Sequence, residues 1–463
     1  MSSALLRRAA FASVAAVLLG CHHGAHRALE PELGSALSDT ARVRADIVYL
    51  ASDALEGRGT GTPGNDSAAA YLAREYAQLG LTKIERATTC PEMRAGVREC
   101  AVGRASYMQY FSARSAAAAH AGLPGELPTQ NVIAMQPGTD PALRSEYVVI
   151  GAHFDHLGRS SFDAMDPEAK DAIRHGADDN ASGTAAVLEL ARRFHAAPAR
   201  RSIIFVNFSG EELGDLGSEY FVDHAPVPLD SIDAMLNFDM VGRLRNDKLI
   251  VYGVTTATEM RSIVDSANTS LACPASSPDR CNTPLAITAL GDGFGPSDHA
   301  SFYAKKIPVL QFFTDMHEDY HKATDVASKI NVPGEARVIE FAERIARDIA
   351  NRPARLTYER SSEPPPRMSM GTGNGTYFGS VPDMSTADVP GVKLAGVTAG
   401  SPADKAGVQA GDIIVEFGGK SVKDIYEYTD AIGAHKPGDV VTVVVLRGDR
   451  RLALTATLGK RGS

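Results

Sequence analysis

Four apolar segments of this chain run directly into acids or histidines. Residues 147–152 lead into His153 and Asp155, and residues 202–208 are followed by Glu211-Glu212. Residues 234–238 end at Asp239, and residues 308–313 are followed by His317 and His321. A fifth group, Asp178-Asp179, sits in the small-residue segment Gly176-Ala177-Asp178-Asp179-Asn180-Ala181-Ser182-Gly183, just ahead of a helical pattern at 184–194. Carboxylates mixed with imidazoles, and no thiol among them, suit zinc or another divalent first-row ion. Several carboxylates in one dry crevice are costly without a cation, so the grouping itself argues for metal. A carboxylate shared between two ions about 3.5–4 Å apart would permit two-metal hydrolysis, with water brought to a pKa of about 7 and an acid residue accepting its proton.

Such a cluster requires elements that end together. Continuous apolar runs of strand length alternating with helical patterns indicate an α/β domain with a mostly parallel sheet flanked by helices. In such sheets reactive groups gather outside the carboxyl ends of the strands, which is where these acids and histidines fall. Leu72, Tyr76 and Leu79 recur at helical spacing with Gly80 as the stop, and residues 335–349 form a second strongly periodic helix. The pattern ends near Pro353. Pro364-Pro365-Pro366 and then Gly371, Gly373 and Gly375 mark a linker. Beyond it lie short strand patterns at 392–397, 413–417, 440–446 and 452–458, with turns at Gly418-Gly419 and Pro437-Gly438-Asp439, which together indicate a separate, mainly β module.

Composition narrows the class. The 463 residues carry 47 Lys+Arg against 56 Asp+Glu, a formal charge of −9, with 44% hydrophobic and 22% charged residues. These values exclude wholesale disorder and a polytopic membrane protein, and they offer no basic stripe for a nucleic-acid partner. Arg7-Arg8, the eleven-residue run 9–19 and Gly20-Cys21 have the form of a signal peptide, and the run is too short to span a bilayer. Leu18-Leu19-Gly20-Cys21 resembles the lipobox of bacterial lipoproteins. That resemblance implies lipidation of Cys21, export, and a membrane lipid anchor on a periplasm-facing or extracellular protein. His22, His23 and His26 read as linker. The other four cysteines fall as Cys90/Cys100 and Cys273/Cys281, and local pairing is the simplest of three connectivities in an oxidising compartment.

Two motifs are set aside and a third is missing. His317-Glu318-Asp319-Tyr320-His321 fits H-E-x-x-H, but no amphipathic helical pattern surrounds it. Gly59-Thr60-Gly61-Thr62-Pro63-Gly64 fits G-x-G-x-x-G, but no strand precedes it. No G-x-S-x-G occurs, which removes the usual α/β-hydrolase nucleophile.

Five ordered motifs carry a family resemblance: Ala152-His153-Phe154-Asp155-His156-Leu157-Gly158, the segment 176–183, Phe208-Ser209-Gly210-Glu211-Glu212-Leu213-Gly214, Asn237-Phe238-Asp239-Met240 and Tyr320-His321-Lys322. Over about residues 42–350 the chain resembles the M28 family of co-catalytic zinc aminopeptidases. The resemblance implies two zinc ions per chain, with His153 and Asp239 on one, Glu212 and His321 on the other, and Asp179 bridging both. Glu211 matches the general base acting on a metal-bridging water and returning the proton to the leaving amine. Asp155 matches a carboxylate that orients His153. Tyr320 stands where some members hydrogen-bond the tetrahedral oxyanion. Asp178 is expected to shape its loop, and Asp298 and His299 match a family segment without an assigned role.

The C-terminal module, with Tyr377-Phe378-Gly379-Ser380, Gly400-Ser401-Pro402-Ala403 and Ala410-Gly411-Asp412-Ile413, resembles a bacterial PDZ domain of the protease-associated type. That implies a peptide C-terminus adding as a strand near residues 378–381. The expected organisation is a signal peptide at 1–20, a linker at 21–40, a metallopeptidase domain at 41–353, a linker at 354–372 and a PDZ domain at 373–461. The expected function is removal of N-terminal residues from peptides. The alternatives are a dizinc carboxypeptidase or deacylase, a one-zinc aminoacyl cyclase, and a non-catalytic peptide-binding lipoprotein.

Overall fold

The central strands of this chain are mostly apolar and buried at nearly every position, so both faces of their sheet are covered. The computed structural model describes residues 39–86, 104–115, 124–160, 164–166, 169–272, 283–361, 376–382, 389–423, 425–448 and 450–460. The main sheet contains β1 (Met108–Ala113), β2 (Leu127–Gln136), β3 (Tyr147–His153), β4 (Ser202–Phe208), β5 (Ile232–Phe238), β6 (Lys248–Tyr252), β7 (Ala286–Leu290) and β8 (Val309–Phe313). Their spatial order is β1-β2-β4-β3-β5-β8-β6-β7. The central four, β4-β3-β5-β8, are parallel. β1, β2 and β4 pair antiparallel, as do β8 and β6, while β6 and β7 are parallel. The sheet is therefore mixed: parallel in the middle, where the expectation of a mostly parallel sheet holds, and antiparallel toward its flanks.

Alternation along each strand divides the core in two. Val148, Ile150 and Ala152 on β3, with Ile203 and Phe205 on β4, face a cluster containing the helices Asp39–Leu50, Gly183–Ala196, Met260–Leu271 and Val332–Asn351. Val149, Ile204, Val206 and Phe208 face the opposite cluster, closed by the helices Leu216–Asp223 and His299–Ala304. There Phe208 meets the edges of Phe221 and Phe302 at centroid distances of 6.0 Å. Gly151 lies beside this ring, and a Cβ at that position would come within 2.7 Å of the Phe208 Cε2. The bare backbone there is what lets the ring pack on the sheet.

Helix boundaries follow local chemistry. Thr62 caps Pro63–Gln78 by accepting the Asn65 N–H, Pro63 occupies the first turn, and Gly80 ends the segment at φ +71°. Asn331 caps Val332–Asn351 by accepting the Gly334 N–H, and Val338, Ile339, Phe341, Ala342, Ile345 and Ile349 form its buried stripe.

Strand register brings the reactive loops together. His153 pairs with Phe208, Gly151 with Asn237, and Phe238 with Phe312. The carboxyl ends of the four parallel strands therefore lie side by side, and the residues after them share one edge.

The C-terminal module is a small β fold with its own apolar core around Phe378, Val392, Ile414, Phe417, Tyr428 and Val443. The strand Ser380–Pro382 pairs antiparallel with Val392–Val397, and Ile413–Phe417, Val440–Arg447 and Arg450–Thr457 continue the sheet. Arg360, within the stretch expected to be linker, donates to the Val397 carbonyl of this module. No helix among the described residues is long and apolar enough to cross a membrane. The signal-like segment with Cys21 and the Pro/Gly-rich stretch 364–375 lie outside the described residues. So do Cys90, Cys100, Cys273 and Cys281, and the expected local pairs Cys90/Cys100 and Cys273/Cys281 therefore stand on sequence alone.

Candidate metal centre

Each acid or histidine read from the sequence arrives on the loop that its strand delivers. His153 is the last residue of β3, Asp239 follows β5, and Glu211 and Glu212 lie in the turn after β4. Asp179 sits in the irregular turn 177–182 that opens the helix Gly183–Ala196, and its peptide bond to Asn180 is cis. Asn180 donates to the Phe238 carbonyl at 2.9 Å, which ties this turn to the residue preceding Asp239. His321 lies after β8, in a turn with φ +53°.

The side chains converge around one carboxylate. Asp179 Oδ1 is 3.4 Å from His153 Nε2, and Asp179 Oδ2 is 3.1 Å from His321 Nε2. His153 Nε2 is also 3.4 Å from Asp239 Oδ1, and His321 Nε2 is 3.1 Å from Glu212 Oε2. Asp179 thus lies between two pairs, His153 with Asp239 and His321 with Glu212, while Glu211 also comes within ligand reach of His153 and Asp239, and Glu212 of His153 and Asp179. Glu211 Oε2 approaches His153 Nε2 at 3.8 Å. Side-chain exposure is 1% for His153 and 4% for Asp179 but 14% for Glu211, so the candidate base keeps access to an incoming reactant.

The electrostatics show an excess of negative charge. Burial pushes the Glu211 carboxyl well above the usual range, reinforced by Asp215, Asp239 and Glu212 and opposed by His153. Burial raises Asp179 as well, and Glu212 adds to it. Burial also opposes the charge on Glu212, but His321 and His156 outweigh it and hold that carboxyl well below its usual range. For His153 burial works against protonation, yet Glu211, Asp239 and Asp179 push its pKa well up. A pocket whose carboxylates draw a proton onto a buried imidazole is one that a cation would neutralise. Imidazole and carboxylate donors without sulfur fit zinc and its first-row neighbours.

The structure revises the role of Asp155. His153 Nδ1 is 3.2 Å from the Asp155 backbone carbonyl but 3.8 Å from its carboxylate. The carboxylate instead accepts from the Thr60 hydroxyl at 2.7 Å and from the Glu211 N–H at 3.3 Å. It therefore positions the loop of the candidate base, while the main chain of the same residue faces the imidazole. Tyr320 stacks on His321 at a centroid distance of 3.8 Å. Burial, with Asp179, Glu212 and Glu211, raises the pKa of its phenol, which stays protonated and able to donate.

The residues 317–321 form a turn, with no helix to bring His317 and His321 onto one ion. His317 Nε2 instead meets Asp178 Oδ2 at 3.1 Å, and Asp178 Oδ1 accepts the Gly242 N–H at 2.7 Å, which makes Asp178 the loop-shaping residue expected. Asp298 and His299 are wholly buried.

Three supporting residues were not read from the sequence. Asp325 accepts the backbone N–H groups of Asp178 and Asp179 at 2.8 and 3.1 Å and is paired with Arg243 at 2.8 Å. Arg58, wholly buried, donates to the carbonyls of Phe154, His175 and Gly176 at 2.7, 2.8 and 2.9 Å, and to that of Leu50. His156 meets Glu212 Oε1 at 2.6 Å. The available signal was proximity in sequence: Arg58 lies in Glu56-Gly57-Arg58-Gly59-Thr60-Gly61, and His156 lies in the motif that contains His153.

In the C-terminal module Phe378 is buried edge-on against Phe417 at 5.1 Å. Gly379 adopts φ +87°, where a Cβ would stand 2.3 Å from the Ser401 Cβ, and its carbonyl accepts the Thr398 N–H at 2.9 Å. Ser380 hydrogen-bonds Tyr428. Tyr377 precedes this turn. Among the described residues the strand Ser380–Pro382 lies at the edge of its sheet.

Comparison with known proteins agrees with both halves. A profile for peptidase family M28 matches residues 131–345, and one for the PDZ domain matches residues 368–458. Aminopeptidase YwaD of Bacillus subtilis (strain 168) is 34% identical over 115 residues, covering 25% of this chain and 22% of that protein. A probable leucine aminopeptidase of Trichophyton verrucosum is 29% identical over 211 residues, covering 43% of this chain and 51% of that protein. The chain thus spans about half or less of these curated relatives. The crystal structure of Porphyromonas gingivalis glutaminyl cyclase matches with a TM-score of 0.50 at 17% identity, over 67% of this chain and 98% of that one, a likeness of fold alone. The chain therefore carries a peptidase family M28 domain over residues 131–345, followed by a PDZ domain over residues 368–458.

Proposed function

We propose that this protein is a zinc metallo-aminopeptidase with two ions per chain, removing N-terminal residues from peptides. One observation carries the reading: the two oxygens of Asp179 divide between His153 and His321, each of which has a second carboxylate partner, Asp239 or Glu212. Bound there, zinc would supply Lewis-acid polarisation of a carbonyl and a lowered pKa for water. In this reading Glu211, partly exposed and 3.8 Å from His153, takes the proton of the attacking water and returns it to the departing amine. Tyr320, kept protonated, can donate to the oxyanion that develops on the carbonyl oxygen.

The surplus of carboxylates favours a substrate that brings a positive group, as a free α-ammonium does. An apolar cavity of about 380 Å³, lined by Thr60, Leu127, His156, Leu157, Glu212 and Leu213 among others, adjoins the centre and can accept part of a small peptide. The edge strand Ser380–Pro382 and the Tyr377-Phe378-Gly379-Ser380 turn support binding of a peptide C-terminus by strand addition. The lipobox-like segment before Cys21 supports export and a lipid anchor; replacing Cys21 with Ser would abolish incorporation of labelled fatty acid.

The deciding experiment is metal analysis combined with a panel of aminoacyl-p-nitroanilides, each also N-acetylated, with and without chelator. Chelator-sensitive cleavage of the free-amine series alone supports the aminopeptidase. Release of acetate from the acetylated series without p-nitroaniline, or trimming of unmodified peptides from the carboxyl end, would replace it with the deacylase or the carboxypeptidase.

A further inference from the structure

His156 is almost wholly buried, at 1% exposure, and no step of the proposed reaction uses it. Its Nδ1 lies 2.6 Å from Glu212 Oε1 and 3.8 Å from Asp179 Oδ2. His321 approaches the same pair of carboxylates differently, with Nε2 3.1 Å from Glu212 Oε2 and 3.1 Å from Asp179 Oδ2.

These distances separate two roles. Donors bound about 2.0–2.1 Å from one tetrahedral ion lie roughly 3.3–3.4 Å from each other. His321 stands close to that spacing from both carboxylates, as a co-ligand would. His156 sits well inside it, at the length of a charge-assisted hydrogen bond. The two Glu212 oxygens are thereby divided: Oε1 is held by His156, and Oε2 is presented beside His321 and Asp179.

The imidazole is itself fixed in place. It meets the His321 ring edge-on at 5.7 Å and 73°. It also lies over Gly176, where a Cβ would come within 2.5 Å of the His156 Cγ. Gly176 adopts φ +56° and its carbonyl accepts from Arg58, so the surface beneath the ring is also pinned. The His156 Nε2 has no protein partner among the described residues, so Nδ1 carries the one hydrogen bond that orients the ring.

We propose that His156 is a positioning residue for Glu212: it donates Nδ1–H to one carboxylate oxygen and so sets the affinity of the ion site that Glu212 shares with His321. The assignment rests on reading the cluster as a two-ion centre. Groups that orient metal ligands typically change affinity by about 10–100-fold when removed.

The test is a zinc titration of the full-length protein against a chromophoric chelator, for wild type, His156→Ala, His156→Asn and His156→Gln. The Asn amide can place a donor where Nδ1 stood; the Gln amide reaches toward the Nε2 position. The assignment predicts that wild type binds two ions, that His156→Ala and His156→Gln weaken one of them about 10–100-fold while sparing the other, and that His156→Asn restores most of the loss. Two tight ions in His156→Ala, equal weakening of both ions, or an Asn variant as defective as the Gln variant would each overturn it. If His156→Ala does not fold, the contrast between Asn and Gln decides alone. Failure of the wild-type protein to bind zinc would overturn the two-ion reading and this assignment with it, whereas failure in the variant series alone removes only His156.

Discussion

Asp179 and His321 meet at 3.1 Å through Oδ2 of the carboxylate, which leaves Oδ1 turned toward His153 on the other side. In the proposed two-ion centre this one side chain would serve both ions. Asp179→Asn removes a charge from each at once, and zinc content after dialysis should fall from two ions toward none. Loss of a single ion, with the other retained at wild-type affinity, would contradict the bridging role.

Glu211 lies within ligand reach of His153 and Asp239, but the proposed reaction uses it as the base, and its exposure of 14% leaves it open to a reactant. Glu211→Gln keeps the shape and removes the base. Turnover should drop by about 10²–10⁴-fold, the range of general acid–base contributions, with zinc stoichiometry unchanged. Substantial residual activity in a fully loaded variant would move the base elsewhere.

Arg58 joins the N-terminal loop to the turns that carry His156 and Asp179 by donating to four main-chain carbonyls. Burial brings its pKa down to about 10, so it remains charged at neutral pH. Arg58→Ala would strand those carbonyls, each costing about 1–3 kcal/mol when left unsatisfied. A loss of at least about 3 kcal/mol in urea-induced unfolding is expected, and Arg58→Lys, with fewer donors, should recover only part of it.

His299 gives a pH-dependent signature. Burial lowers its pKa from 6.5 to about 3, opposed by Asp239 and Gln311. In the window between those values the unfolded chain binds the proton and the folded chain does not, so folding stability rises with pH there and is lost as pH falls. The contribution is complete above pH 6.5. Chelator-treated His299→Gln should therefore show a shallower acid loss between pH 6 and 4 than chelator-treated wild type, by up to about 1.4 kcal/mol per pH unit. Parallel slopes would show that His299 is not buried neutral.

The PDZ domain contributes an edge strand remote in sequence from the donor sets. Deleting residues 373–463 should leave the cleavage of aminoacyl-p-nitroanilides within a factor of about three, while raising KM for long peptides with free carboxyl termini. An equal loss on both substrate types would assign the domain a structural role instead.

Much of the centre was legible before any coordinates. Residues 147–152, 202–208, 234–238 and 308–313 are predominantly apolar runs, interrupted only at Ser202, Asn207, Asn237 and Gln311, and such runs become interior strands whose ends must line up. That argument alone brings His153, Glu211, Glu212, Asp239 and His321 to one edge, and the small-residue turn before residue 184 adds Asp179. β6 and β7 were not read from the sequence, although β6 is the apolar run Leu249-Ile250-Val251-Tyr252 and β7 is Ala286-Ile287-Thr288-Ala289-Leu290; both are short, β7 is half-exposed, and their places in the sheet are set by pairing with β8 and with each other. Nor could sequence show that the Asp155 carboxylate turns to Thr60 and the Glu211 N–H, or that His156 holds one oxygen of Glu212. Periodicity and residue type are local and determine which face or end of an element a side chain occupies. Which atoms meet across loops 56 to 95 residues apart depends on the register between strands and the path of each turn, and the tertiary structure alone sets both.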